Sequence, residues 1–403
     1  MDKFRSKRLN TTFYTKKHFL LNFKEKYEKK TISLVILKKT CILAHKNKEF
    51  KKMDNYKYDV TVGMPVYGVE KYIRKCMLSV LNQTFKKNIE ILAIDDLGPD
   101  NSIGIIKELQ ASHPRGKNIR IITQPQNMGC WAARNRILEE AQGEYIFLLD
   151  SDDYISEDCI EKLYHQAIEH KAEAVYGSVK PVDSEGQYKD IGQDYLNQPY
   201  LVINETDGLA KFANKSIHPT FRDYIWNTLI RHDFIEKYHI RFKKAKFCDD
   251  MICSCDMTPL VSNAVLIPDY TYYYVIRDNS LSNYQYRKEI KLEDIIEFIR
   301  VYSYLKDKCK ELKDKDYFET RCTKGMVLMF YAVCGFLKNR DRIVPKLENQ
   351  IIKDALKHPL PLKDILPFKK YRLVNIAFYI LGIIPAFLTT IIITIIGKKK
   401  KYI

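Results

Sequence analysis

Between residues 59 and 150 the sequence alternates four times between a short apolar run and an amphipathic one. "DVTVGMPV" at 59–66 alternates like a strand and runs into "YGVEKYIRKCMLSVLNQTF", whose apolar positions fall at helical spacing. "IEILAID" at 89–95 is followed by "SIGIIKELQASH", "IRIITQ" at 119–124 by "GCWAARNRILEEAQ", and "EYIFLLD" at 144–150 closes the series. Four strands joined by short helical crossovers predict an α/β fold, a parallel sheet with helices on both faces and ligands gathered outside the carboxyl ends of the strands. Polar residues collect at those ends: Tyr67 and Glu70, Asp95 and Asp96, Asn127, and a cluster after the fourth strand.

That cluster is the sharpest chemical signal. "YIFLLDSDDYI" at 145–155 places Asp150, Asp152 and Asp153 where an apolar strand stops. Three neighbouring carboxylates repel unless a cation or hydrogen-bond donors offset them, which points to a divalent metal. No G-x-G-x-x-G follows the first strand and no P-loop is present, so a dinucleotide oxidoreductase and a P-loop kinase are both disfavoured. A bound nucleotide would be held by carboxylates and a metal instead of a glycine loop.

The net charge of +17 suggests nucleic acid until its position is considered. Residues 1–52 carry 16 basic and 4 acidic residues and 369–403 carry 7 basic and none acidic, leaving 44 against 46 in between. A nearly neutral body argues against a nucleic-acid groove. The ten cysteines show no disulfide framework, and Cys248, Cys253 and Cys255 lack the partner spacing of a zinc site. "TISLVIL" near the start is cut by Lys38 and Lys39 and has no cleavage site, so 1–52 reads as a basic extension, disordered or untranslated, with Met53 as the expected start.

At the other end, Leu373 to Ile396 is a 24-residue run without a charge, flanked by Lys369, Lys370, Arg372 and Lys398–Lys401. As one helix it would span roughly 36 Å against a hydrocarbon core of about 30 Å, and the expectation is a membrane segment. Basic flanks on both sides and Pro385 near its middle leave a crossing helix and a re-entrant hairpin equally open. Residues 286–368 read as a helical region, with "MVLMFYAVCGFL" as core and the proline-broken "HPLPLKDILPF" at the membrane interface.

Several motifs in order carry a resemblance over about 58–285: "VGMPVYGVEKYIRKCMLSVLNQTF", "IEILAIDDLGPDNS", "QNMGCWAARNRILEEAQGEYIFLLDSDD", and "FCDDM" followed by "YYYVIRDNSLS". Together they resemble the family 2 glycosyltransferases of the GT-A fold, of the bacterial capsule or exopolysaccharide type. The resemblance implies a GT-A domain over 53–285, followed by the helical region over 286–368 and the membrane anchor or re-entrant segment with basic tail over 369–403 that the residues themselves suggest. It implies that Asp152 reaches a Mn2+ or Mg2+ ion and that Asp150 lies beside the ribose or in the metal shell. Asp153 is either a metal ligand or a helix cap. Pro65, Tyr67 and Glu70 would line the base and ribose pocket, and Asp95 would accept from the base, which favours uracil or thymine. Arg134 would approach the diphosphate. Asp250 of "CDD" would be the base that deprotonates the acceptor hydroxyl, with Asp249 the alternative register. Trp226 is either an acceptor-side aromatic or a core residue. Arg277 and Ser280 match family positions on the acceptor or phosphate side, whereas Val275, Leu97 and Gly98 depart from the pattern.

The implied activity is inverting transfer of one sugar from a nucleotide-sugar donor, a UDP-sugar favoured, to a lipid-linked or polysaccharide acceptor. The expected setting is the cytoplasmic face of a bacterial inner membrane, with no nucleic-acid partner. A processive synthase is disfavoured because Q-x-x-R-W is absent. A non-catalytic GT-A-fold subunit of a polysaccharide-assembly complex is the alternative, and turnover separates the two.

Overall fold

Apolar residues at alternate positions build the first four strands where the pattern predicts them: β1 (Tyr58–Val66), β2 (Ile89–Asp95), β3 (Ile119–Thr123) and β4 (Gly143–Leu148). Three helices, α1 (Glu70–Leu81), α2 (Ser102–Ser112) and α3 (Cys130–Glu140), return the chain so that these strands run parallel in the order β3-β2-β1-β4. This computed structural model describes residues 56–403 apart from 193–195, 219–220, 222–223 and 278–286. The basic extension 1–52, the expected start at Met53, and Ser280 lie outside the described residues.

Every residue of β2 is buried, as a strand covered on both faces requires. Its side chains divide by parity. Ile91 and Ala93 pack in one core with Ile73 and Met77 of α1 and Ile106 of α2. Leu92 and Ile94 pack in a second core with Ala133 and Ile137 of α3. Gly63 in β1 is a packing requirement, because a Cβ there would lie 2.2 Å from Ile137 Cγ2 and force α3 off the sheet.

After β4 the repetition stops. The chain forms β5 (Tyr154–Ile155), α4 (Cys159–Glu169), β6 (Ala174–Val182), β7 (Leu201–Asn204), α5 (Gly208–Ala213), β8 (Thr228–Arg231), α6 (His232–Lys237), α7 (Asp249–Met257) and β9 (Asn263–Val275). β8 inserts antiparallel between β4 and β6, and β9 runs parallel to β6. The result is a sheet in the order β3-β2-β1-β4-β8-β6-β9-β5, with β7 also paired to β9. Its first half is wholly parallel and its second half mixed.

The remaining chain is helical apart from the short pair β10 (Ile290–Lys291) and β11 (Ile343–Val344): α8 (Leu292–Asp307), α9 (Phe318–Lys338), α10 (Asn349–Ala355), α11 (Leu362–Ile365), α12 (Arg372–Ile383) and α13 (Ala386–Lys399). Met326, Met329 and Val333 of α9 form a third core with Phe298, Ile352, Phe378 and Ile393. Phe247, just before α7, enters this core and stacks on Phe298 at 4.9 Å, so the helical region touches the segment that carries Asp249 and Asp250. From Tyr58 to Ile403 the chain is one compact unit.

Of the two alternatives for 373–396, the single crossing helix is the one the fold corrects. α12 ends at Ile383, Ile384 and Pro385 are extended with ψ of 164° and 139°, and α13 starts afresh at Ala386. Proline lacks the N–H that the helix needs and pushes its predecessor out of the α region, which accounts for the break. Among the described residues no helix is long and apolar enough to cross a membrane.

Candidate active site

The carboxyl ends of β1 and β4 open into a cleft of about 1720 Å³, closed on its far side by α7, α8 and the end of β9. Pro65 and Tyr67 line it at the end of β1, and Tyr67 is half exposed at its lip. Asp150 and Asp152 line it beyond β4, and Asp249 and Asp250 in the first turn of α7. A helix N-terminus favours carboxylates, so the sequence "CDD" suits that turn; Cys248, at φ 55°, sets the entry angle.

Arg134 holds these two walls together. It is buried on α3, and its Nη2 donates to Asp150 Oδ1 at 2.7 Å while its Nη1 donates to Asp249 Oδ2 at 2.8 Å. Burial works against its charge, but the two carboxylates more than offset this and hold its pKa above the ordinary value. Its Nε has no hydrogen-bond partner among the described residues. Asp96 pins the loop from which the helix of Arg134 starts. The N–H groups of Met128 and Gly129 donate to the two Asp96 oxygens at 2.8 and 2.9 Å, and Gly129 takes φ 88° to enter α3.

Three adjacent acids in "DSDD" have three different surroundings. Asp150 is paired with Arg134, and Asp152 with Arg277. Burial raises the Asp152 carboxyl, the Arg277 guanidinium lowers it, and Asp150 raises it again. Asp153 is fully enclosed: Val275 N–H donates to Oδ1 and the Tyr272 hydroxyl to Oδ2, both at 2.7 Å. Burial, and then Asp152 and Asp150, push it well above the carboxylate range. It is neither a free ligand nor a helix cap, since α4 starts at Cys159; it ties the loop after β4 to β9. Ser151 adds a second tie, its hydroxyl donating to the Pro65 carbonyl at 2.6 Å.

Asp250 differs from all of these. Its Oδ1 accepts from the neighbouring Met251 N–H at 2.9 Å, and it lies half-buried in the cleft wall. Desolvation drives its carboxyl up, Arg134 opposes, and Asp249 and Asp150 add to the rise, leaving it at about 7. Asp249, by contrast, is committed to Arg134. The register between the two acids is thereby distinguished by environment.

Nine of the residues expected at a site converge here: Pro65, Tyr67, Arg134, Asp150, Asp152, Trp226, Asp249, Asp250 and Arg277. Glu70 and Asp95 do not line the cleft. Glu70 Oε2 accepts from Asn101 N–H and its own N–H donates to Asp100, pinning α1 to the loop before α2. Asp95 is buried, with Leu97 N–H and the Thr123 hydroxyl on its two oxygens. Trp226 is at once core and cleft wall, stacked on Tyr224 at 3.8 Å and beside Tyr272 at 4.7 Å. Sequence reasoning gave no role to Asp96 or Tyr272; the doubled acid at 95–96 was the only available signal for the first.

No three His, Cys, Asp or Glu side chains among the described residues converge to hold a metal. Asp153 is already fully engaged, which leaves Asp152 and Asp150. One or two carboxylates completed by phosphate oxygens and water are what a hard divalent cation takes at a nucleotide site. The donor set therefore fits a Mn2+ or Mg2+ ion shared with a diphosphate, and does not fit an ion caged by protein alone.

The Glycosyl transferase family 2 profile matches residues 61–245. GlyG, a glycosyltransferase of Streptococcus pneumoniae serotype 4, is 31% identical over 251 residues, covering 60% of this chain and 78% of GlyG. The chain belongs to glycosyl transferase family 2. Glycosyltransferase GlyA of the same organism is 33% identical over 232 residues, 55% of this chain and 31% of GlyA. The minor teichoic acid biosynthesis protein GgaB of Bacillus subtilis is 29% identical over 313 residues, 77% of this chain and 30% of GgaB. The chain thus spans less than a third of the length of GlyA and of GgaB. Among solved structures, residues 1–349 of S. aureus TarS in complex with UDP-GlcNAc share the fold with a TM-score of 0.59 at 19% identity, over 80% of this chain and 90% of that one.

Proposed function

We propose that the protein transfers a single sugar, with inversion, from a nucleotide-sugar donor to a hydroxyl of a glycan or lipid-linked acceptor in surface-polysaccharide synthesis. The observation that carries this reading is the placement of Asp250, an acid with its carboxyl near 7, in the same cleft as Asp150 and Asp152. A general base works best when its pKa lies near the working pH. Asp250 takes the proton from the acceptor hydroxyl as it attacks the sugar from the side opposite the leaving diphosphate. Arg134 pairs with Asp150 and Asp249 and so fixes the spacing between the two cleft walls. Asp152 and Asp150 are the residues that would hold a divalent cation, which when bound neutralises charge on the departing diphosphate.

The relatives supply the setting. GgaB is named for teichoic acid biosynthesis, and the TarS structure of like fold holds UDP-GlcNAc. UDP-sugars are therefore the first donors to try. The test is nucleoside diphosphate release by the purified chain over UDP-, GDP- and dTDP-sugars with Mn2+ and with chelator. The expected result is turnover on one donor class that needs the cation and is lost in Asp152→Ala. Donor binding without turnover, with lipid-linked acceptors supplied, would instead favour a non-catalytic subunit.

A further inference from the structure

The two helices at the end of the described chain carry large apolar side chains on their outward faces. Along α13, Phe387, Leu388, Ile391, Ile392, Ile395 and Ile396 all face solvent, with Ile395 62% exposed. At 100° per residue these positions sweep one continuous half of the helix. The opposite half, turned into the protein, carries Thr389, Thr390, Ile393 and Gly397. The Thr389 and Thr390 hydroxyls are absorbed by the carbonyls of Leu381 and Ala386. α12 turns Phe378 and Leu381 inward beside Asn375, which is buried against Thr323 and His358, yet Leu373, Ile380 and Ile383 are exposed, Leu373 by 80%. An exposed apolar face of this extent is uncommon on a soluble surface and marks a place of contact.

We infer that α12 and α13 form a monotopic docking surface for an anionic lipid bilayer. Length and charge select that occupant. At 12 and 14 residues the helices are roughly 18 and 21 Å long, short of the ~30 Å hydrocarbon core, so they lie in the interface instead of crossing it. Lys369, Lys370 and Arg372 precede the pair and Lys398–Lys401 follow it, all exposed, with no acidic residue from 365 to 403. Basic residues beside an apolar helix face add attraction to anionic headgroups, about fivefold in affinity for each. The same charges oppose a second copy on this face, because a two-fold contact sets each patch against itself.

The test is flotation of the full chain with vesicles of phosphatidylcholine alone and of phosphatidylcholine with about one third phosphatidylglycerol, at low and high salt. The expected result is binding to the anionic vesicles that weakens with salt. Two variants should each reduce it at least ~10-fold: Ile391→Asp with Ile395→Asp, and the four-lysine change Lys398→Gln, Lys399→Gln, Lys400→Gln and Lys401→Gln. All six positions are exposed, so unchanged thermal melting is expected to show both variants folded. Equal binding to both lipid compositions, or binding that survives the isoleucine changes, would overturn the proposal. A concentration-dependent dimer abolished by the same isoleucine changes would overturn it in favour of self-association.

Discussion

The cleft and the terminal helices break the usual rule of protein interiors in opposite directions. At the cleft, Arg134, Asp153 and Asp249 are buried; on α12 and α13, leucines and isoleucines face outward while Asn375 and Thr389 are fully enclosed. Buried charge costs several kcal/mol per ion unless geometry returns it, and exposed apolar surface forgoes about 25 cal/mol per Å². Neither arrangement helps the isolated fold. Each makes sense against the partners proposed above, a charged donor at one end and a lipid surface at the other. The comparison teaches where to look for contact: at residues such as Arg134 and Ile395, whose placement the isolated fold does not reward.

Substitutions can break that comparison. The largest stability effect belongs to Arg134→Met, which strands Asp249 and Asp150 at the cleft and should cost about 3 to 5 kcal/mol in urea unfolding. Adding Asp249→Leu should recover part of that loss, because it removes one stranded charge. A loss below ~1 kcal/mol in the single variant would show that the cleft charges are hydrated and the contrast with the helices is false.

Asp250 sharpens the same contrast through pH. Its carboxyl is raised to about 7 from an unfolded value near 3.9, so the folded state binds the extra proton. Its contribution to stability is full below pH ~3.9 and is lost as pH rises through about 7. Activity runs the other way, because only the deprotonated form accepts a proton, and kcat/KM should rise to a plateau above about 7. Opposite slopes of stability and rate over this interval are the expected signature, and parallel slopes would contradict it. The smallest expected effect is at Ile392→Gln on α13, where unfolding should shift by no more than ~0.5 kcal/mol although a large apolar side chain is lost.

Much of the sheet half was legible because four period-2 strands alternate with three period-3.6 helices, and Ile91 and Leu92 divide between two cores as that pattern demands. The mixed second half was not, since β8 and β9 reach their partners through long-range pairing that local propensity does not encode. At the site, ordered motifs brought nine residues to one cleft, but they could not separate Asp95 from Asp96. Those neighbours differ in their partners once β3 is in place: Asp95 takes Leu97 N–H and the Thr123 hydroxyl, while Asp96, in the cleft wall, takes the N–H groups of Met128 and Gly129. The break in the terminal run was legible in Pro385, whose missing N–H divides it, but composition alone left a crossing helix equally open.

The most direct test of the central claim pairs two readings on Asp250→Asn: binding of UDP by calorimetry, and sugar transfer to acceptor in the presence of Mn2+. If Asp250 is the base, nucleotide affinity stays within about twofold of wild type while kcat falls roughly 10²- to 10⁴-fold and its pH dependence near 7 disappears. Transfer at the wild-type rate would contradict the assignment and leave the cleft without its proton acceptor.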